Sequence, residues 1–538
     1  MNAAQPRVRR SITELQDAYK KGDKKPLEDL WRAWKGIQDL DYDDPKSFFR
    51  LAGYHGEPFR GAGWGSSLYW GGYCHHGNVL FPTWHRVYLY KLEKALQSIR
   101  GCADVMLPYW DETSDDTLIN GLPWALTQEQ VELDNQMVDN PLRSFRLTAN
   151  IKDHITNDDA DYSKPKGYET QRYPRSGLVG KKDIDNTNKQ NEKYKKYDDC
   201  VILLNQNIRD WLKSYVVIDG ESTTMGLVSD KYRQCLDAPN YTVFSNTTSA
   251  AEWNDNRKPL VMSLESPHNS IHLAVGGFEV PGQPSKSPIK GANGDMGEND
   301  TAGFDPVFFF HHCFVDYVFW LWQKRHKVDI MAEYPGTNSV DGQGATPGVA
   351  PNSWLDLDSP LRPFCHDDDN KRPYTSNDCL DTETQLGYTY SAGSLSKASA
   401  AAAAAPAAAP GRVITVSGVN RAPVRGSFLV SVFGNVDGRK VHLGTEAVLS
   451  RWNVRYCANC QTHLDVTTYI EVPTSGTASM AALPDEKLAD PATYELTLTT
   501  HDGEFTSSDP QPQAAAALSA DSPSAAPSPL ARARLEVR

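Results

Sequence analysis

No run of about 20 apolar residues occurs anywhere in the chain, so no membrane-spanning helix is expected. The opening stretch MNAAQPRVRRSITELQ lacks the apolar core of a secretory signal, and a cytoplasmic location is the expectation. Basic residues are the minority: 55 Lys and Arg face 68 Asp and Glu, a formal net charge of −13. That balance argues against nucleic acid or an anionic membrane as partner. The nine cysteines are an odd number and scattered, which suits a reducing compartment better than a disulfide framework. Histidine is scarce as well, with 14 in 538 residues. Where so few histidines gather is therefore informative.

What is present is a soluble, globular composition, 39% apolar and 23% charged, in a chain long enough for about two domains. Residues 11–40 carry apolar positions at helical spacing, with Gly22 and Pro26 splitting them into two helices and Ser11 with Glu14 forming a capping box. A further helix is expected over 82–99, where Trp84, Tyr88, Leu92, Ala95 and Ile99 recur every three or four residues. Residues 150–200 are polar with little periodicity and are expected as a long surface excursion. Helical pattern returns at 263–273 and 306–325. The Ala/Pro stretch 394–412 reads as an exposed linker. Beyond it come short alternating segments such as RVITVSG, SFLVSVFG and YELTLTT, then a Ser/Ala/Pro insertion at 507–531 before a last segment, RLEVR. They predict a small all-β, sandwich-like domain. The expected division is a mainly α domain over 1–393, the linker 394–412, and a β domain over 413–538.

Four segments carry the grouped histidines: LAGYHGEPF with His55, CHHGNVLFPTWH with His75, His76 and His85, ESPHNSIHLAVGG with His268 and His272, and DPVFFFHHCFVD with His311 and His312. Residues four apart on a helix lie on one face, about 5–6 Å apart at Cβ, so His268 and His272 can share a metal or simply face solvent. A lone histidine on an aromatic-rich helix, as at 85 or 312, is commonly a hydrogen-bonded core residue. Of each doublet, at most one member is expected as a ligand, because neighbours point apart. Two groups of three, without dense cysteines or carboxylates, favour two metals in all-nitrogen coordination. Imidazole suits copper, zinc, iron and nickel, whereas structural zinc usually takes cysteine.

These segments, together with LPYWDE at 107–112, resemble the tyrosinase family of type-3 copper proteins, in its fungal intracellular form, over nearly the whole chain. The resemblance implies a four-helix bundle holding two copper ions, with His55, His76 and His85 on copper A and His268, His272 and His312 on copper B. His311 is then a neighbour, packed or hydrogen-bonded. Cys74 stands where fungal relatives bond a cysteine sulfur to the ligand at His76, a thioether that would fix the ring's orientation. The chain departs from the family after the doublet: Phe314 stands for an Asn and Tyr317 for an Arg, while Asp316 remains.

The resemblance further implies an enzyme that uses O2 to ortho-hydroxylate monophenols and oxidise o-diphenols to o-quinones, the chemistry of melanin formation. Phe308, Phe309, Phe310, Trp84 and Trp110 are fit to supply a dry aromatic shell, or are ordinary core. A phenol has a pKa of about 10, so its deprotonation needs help; Glu265 and Asn269 match the pair that holds a proton-accepting water in monophenolase members. Asn299 falls where relatives carry a gate over copper A. Cys457 and Cys460 form a C-x-x-C with His463 nearby; such a pair can be a disulfide, a redox site or a soft copper ligand, and in fungal relatives it is linked to copper loading. Gly387–Tyr390, GYTY, matches a motif that closes the catalytic core, facing an arginine such as Arg9 or Arg10. Free quinones react with thiols and amines, so a latent proenzyme is expected: the β domain covers the site and inserts an apolar or aromatic side chain, with Val448, Trp452 and Tyr456 as candidates. Competing readings are a catechol or o-aminophenol oxidase without monophenolase activity, an O2 carrier like the haemocyanins, and a structural zinc protein. A homo-oligomer is compatible with the sequence.

Overall fold

The computed structural model describes residues 5–56, 72–153, 162–218, 221–225, 228–256, 260–281, 294–328, 340–341, 346–367, 371–396, 412–436, 439–471, 484–508 and 528–538. Most of the Ala/Pro linker, 397–411, and much of the 507–531 insertion lie outside the described residues.

The first two helices begin at start signals written in the sequence. Ser11 accepts from the Glu14 amide and completes a capping box for the Ile12–Lys20 helix, and the next helix, Lys25–Gln38, starts with Pro26 in its first turn. Four helices build the centre of the body: Phe81–Gln97, Tyr197–Leu212, Glu265–Gly276 and Val307–His326. The Val307–His326 helix packs on the first and third of these, and Glu265–Gly276 packs on Tyr197–Leu212. Every residue of Glu265–Gly276 is buried, and Val307–His326 is buried from Val307 through Phe319. Helices buried this completely belong inside a large body, and these two lie at that centre. No helix among the described residues is long and apolar enough to cross a membrane.

Residues 150–200 are not a mere surface excursion. The Ile184–Lys193 and Tyr197–Leu212 helices occupy their end, and Ile151, Tyr162, Lys164 and Leu178 are buried. Long polar stems and hydrogen-bonded hydroxyls cover apolar surface here, so the segment packs without a hydrophobic period.

After residue 412 the chain is strand-rich. An antiparallel four-stranded sheet runs in the spatial order Arg439–Val448, Phe428–Val436, Tyr494–Thr500, Gly503–Thr506. A three-stranded sheet places Val413–Asn420 between Asp465–Glu471 and Arg534–Val537. Their inner faces share a core of Ile414, Val416, Val430, Leu443 and Leu496, the alternation expected of a sandwich.

The body is closed by a short parallel pairing of Arg7–Arg9 with Tyr388–Tyr390. Arg9 donates to Glu93 at 2.9 Å, to Asp316 at 3.3 Å and to the Tyr390 hydroxyl at 3.2 Å, and its guanidinium sits 3.6 Å over the Tyr388 ring. Of the two arginines that the sequence offers to GYTY, Arg9 is the partner. Asp316 also takes Arg86 Nε at 2.5 Å and the hydroxyls of Tyr388 and Tyr390. The two residues that depart from the family pattern serve packing: Tyr317 stacks on Tyr109 at 4.7 Å, and Phe314 meets Tyr232 edge-on at 5.0 Å.

Candidate metal centre

Each predicted histidine segment delivers its ring to the same place. The Phe48–Gly53 helix ends just before His55, and the chain returns at Gly72 with the segment bearing Cys74 and His76. Gly72 has φ +44°, and a Cβ there would lie 2.0 Å from the His55 carbonyl oxygen, so a residue without a side chain is required for the two strands of chain to touch. His85 projects from the Phe81–Gln97 helix, His268 and His272 from Glu265–Gly276, and His311 and His312 from Val307–His326.

Two clusters result. His55, His76 and His85 form one; His268, His272, His311 and His312 form the other; within each, the ligand-capable atoms lie within 4.8 Å of one another. The clusters adjoin: His85 stacks on His312 at 4.5 Å between ring centroids, and His76 on His268 at 5.6 Å. In the second cluster the Nε2 atoms of His268 and His272 each lie 3.2 Å from Nε2 of His312. All seven rings are held neutral: burial pulls their pKa values far down, to about 3 for His85 and His311, and in all but His311 neighbouring imidazoles add to it.

The tautomers are set from behind. Nδ1 of His85 faces the Phe81 carbonyl at 2.7 Å, that of His272 the Met296 carbonyl at 2.9 Å, that of His268 the Asn269 amide oxygen at 3.0 Å, and that of His311 Glu112 at 2.6 Å. An acceptor at Nδ1 puts the proton there and turns the Nε2 lone pair inward, as outer partners of metal-bound histidines do. Both ring nitrogens of His55, and Nε2 of His76, His85 and His311, are buried with no hydrogen-bond partner. Buried polar atoms are rarely left so. Convergent, neutral, unpartnered imidazole nitrogens without thiolate or carboxylate in the donor set fit copper, and fit a cysteine-rich structural zinc site poorly.

The surroundings are aromatic and dry. Phe308 lies on the His312 ring at 3.9 Å, and Phe81 meets His268 at 4.8 Å and His85 at 4.9 Å. Trp84 abuts His85 at 4.8 Å. Phe309 and Phe310 instead pack around Trp34, and Trp110 bonds Thr117, so these three are core.

A cavity of about 760 Å³ opens from the clusters toward the β region, lined by His76, Glu265, Asn269 and Asn299 among others. Glu265 is buried; its Oε1 accepts from the Gly77 amide at 2.8 Å and its Oε2 from the Thr247 amide and hydroxyl at 2.9 and 3.1 Å. Burial raises its pKa, and those amides draw it partly back. Asn299 lies beside Cys74, its side-chain amide nitrogen 3.6 Å from Sγ. Cys74 itself is a free, buried thiol; the sulfur–sulfur bond in this region is the Cys457–Cys460 disulfide, which also lines the cavity.

From the β region Val448 lines the cavity, whereas Trp452 packs on Tyr162 at 5.2 Å and on His501 at 5.2 Å, away from the histidines. The Tyr456 side chain lies outside the described ones. The side chains that do reach the clusters are polar. Arg451 Nη2 lies 3.5 Å from both Cys74 Sγ and the His55 carbonyl, and Asn459 donates to the His76 carbonyl at 2.6 Å. Sequence reasoning missed these two and Glu112; only the position of Glu112 in the LPYWDE stretch pointed to it.

Two adjoining, buried, all-imidazole clusters on a helical bundle define a dinuclear metalloprotein of the type-3 kind. The family model described as the common central domain of tyrosinase matches residues 45–325, which contain every clustered histidine. The chain is 49% identical to a tyrosinase of Hahella sp. strain CCB-MM4 over 87% of its length and 88% of that protein's. It is 45% identical to a tyrosinase of Aspergillus oryzae, covering 86% and 88%. Among solved structures, a tyrosinase from Burkholderia thailandensis superposes with a TM-score of 0.78 at 48% identity, covering 92% of this chain and 94% of that one. The chain belongs to the tyrosinase family of copper enzymes, and its paired histidine clusters are the family's dicopper centre, which acts on phenols.

Proposed function

We propose that His55, His76 and His85 hold one copper and His268, His272 and His312 the other, and that the enzyme uses O2 to ortho-hydroxylate monophenols and to oxidise o-diphenols to o-quinones. The observation that carries this reading is the convergence of unpartnered imidazole nitrogens beside a cavity that a buried carboxylate also lines. His312 is favoured over His311 because its Nε2 meets those of His268 and His272. Bound copper supplies the activation of O2; the chain's own groups bind, orient and deprotonate the phenol. Glu265, raised toward neutrality by burial, suits proton transfer better than an exposed carboxylate. Asn269 braces His268 and keeps its amide at the cavity wall. Asn299, beside Cys74, is placed to limit entry on the copper A side.

Three further roles belong to this reading. Cys74 bonds the His76 ring as a thioether once copper and O2 are supplied. Cys457 and Cys460, when reduced, pass copper inward from the cavity wall. The β region keeps the enzyme latent, since it roofs the cavity. Seven free cysteines among the described residues accord with a cytoplasmic, reducing location.

The test pairs metal analysis with Glu265→Gln. Two coppers per chain are expected, falling to about one in His312→Ala. Glu265→Gln should slow phenol hydroxylation by roughly 10²-fold or more while slowing catechol oxidation far less. Equal losses on both substrates would make Glu265 structural and leave the chain a catechol oxidase in mechanism.

A further inference from the structure

Three lysine and arginine side chains line the cavity: Lys231, Arg421 and Arg451. Two are paired, Lys231 with Glu446 at 2.6 Å and Arg451 with Asp300 at 3.4 Å. Arg421 is not. Its backbone amide donates to the Leu464 carbonyl at 2.9 Å, which fixes the residue directly after the Val413–Asn420 strand. Its guanidinium makes no hydrogen bond or ion pair with any described residue, and its Nε is sequestered without an acceptor.

The nearest explanation is Glu265, which lies close enough to act on Arg421 electrostatically. Yet both Glu265 oxygens already accept hydrogen bonds from other groups, Gly77 and Thr247. Burial draws the Arg421 pKa down to about 10 and the Glu265 carboxylate pulls against that, so the group is a cation at neutral pH. A half-buried cation without a hydrogen-bonded counter-charge is left with its outer nitrogens free to take an anion from the cavity. A planar guanidinium is the group best shaped to take a carboxylate in two parallel bonds. The cavity, about 760 Å³, has the size of a small-molecule site, with His76 and Glu265 on its wall from the body and Arg421 on its wall from the β region.

We infer that Arg421 is an anion subsite of the substrate cavity: it takes the carboxylate of a phenol that bears one, while the phenolic end lies at the histidine clusters. The inference rests on the phenol-oxidising reading and adds a substrate class to it, phenolic carboxylic acids over their neutral counterparts. It also gives the β region a share in recognition, since the guanidinium comes from that side.

The test uses the copper-loaded full chain and Arg421→Gln, with Arg421→Lys as a charge-retaining companion. Turnover of 3-(4-hydroxyphenyl)propionate is compared with that of its methyl ester. Arg421→Gln should lower the acid-to-ester ratio of kcat/KM about tenfold, as loss of a charged hydrogen bond does, chiefly through KM; Arg421→Lys should restore part of it. A titration without turnover accompanies this, 3-phenylpropionate against 3-phenylpropanamide by calorimetry. The wild-type chain should prefer the carboxylate and Arg421→Gln should not. An unchanged ratio, or equal losses on acid and ester, overturns the subsite and assigns Arg421 to keeping Glu265 ionised. If the wild-type chain oxidises no phenol, the functional reading fails by itself, and the calorimetric preference still decides the subsite.

Discussion

Asp316 shows how a single buried charge can tie distant elements together. The arginine expected one residue later is Tyr317, and the carboxylate takes Arg9 from the first strand and Arg86 from the helix that bears His85. Burial alone would raise the Asp316 carboxyl; the two guanidiniums and the hydroxyls of Tyr388 and Tyr390 outweigh it and hold it below its ordinary value. A carboxyl with a depressed folded pKa stabilises fully above its unfolded value, about 3.9, and loses that contribution as pH falls through the folded one. Asp316→Asn should therefore destabilise by roughly 3–5 kcal/mol at neutral pH, the cost of stranding buried partners. The deficit against wild type should shrink only in strong acid, which urea unfolding across pH measures. A deficit independent of pH down to strong acid would mean that shape, not charge, matters here. The clustered histidines were legible because each sits in a motif with its own spacing. Arg451, Asn459 and Arg421 were not, because their relevance depends on where a distant strand-rich region docks.

At the level of elements, the sequence located the helices bearing the clustered histidines to within a few residues, since their apolar content is dense there even though none of the three starts with a side-chain cap. The 82–99 expectation is Phe81–Gln97, and 306–325 is Val307–His326. Residues 150–200 failed because they bury themselves through polar groups, such as Lys164 over the rings of Tyr162 and Tyr168, which leave no apolar rhythm. The crossing of the His55 and His76 segments at Gly72 yields a prediction. Gly72→Ala puts a Cβ onto the His55 carbonyl and a side chain at positive φ. Substitution at such a position costs more than about 1 kcal/mol, and here the displaced element carries His55 of the first histidine cluster. The expected outcome is a lowered melting temperature together with weakened copper A retention, read by copper content after mild chelation. Wild-type copper retention in Gly72→Ala would show that the segment adjusts without moving His55.

For the molecule as a whole, the contact between the β region and the body joins apolar packing of Leu429, Ala447 and Leu449 to a set of polar pairs. Glu298 bonds His501 at 2.6 Å, Asp300 takes the Trp452 amide at 2.7 Å, Arg425 meets Asp183 at 2.9 Å, and Ser266 donates to Glu446 at 2.5 Å. Such a surface can hold a tethered roof without being irreversible, because the tether itself supplies an effective concentration on the order of mM. Cleavage within 394–412, or a mild denaturant, should raise activity on bulky phenols while copper content stays at two per chain. The comparison is made by assaying before and after limited proteolysis with metal analysis on both. No rise in activity would leave copper loading or stability as the role of the β region.

The pairing of Arg7–Arg9 with Tyr388–Tyr390 bears on where such a cut can fall. It joins the first strand of the body to its last, so the body is a closed loop of chain with the linker leaving it as a tail. Just beyond the pairing, the Gly393 amide is tied to the Tyr317 hydroxyl and the Ser394 amide to Asp111. A protease acting after those ties severs only the tail and leaves the loop shut. One acting a few residues earlier removes Tyr388 and Tyr390 from Asp316 and unbuckles the frame that carries His85 and His312. The same clasp that shuts the catalytic body thus marks the line between maturation and destruction.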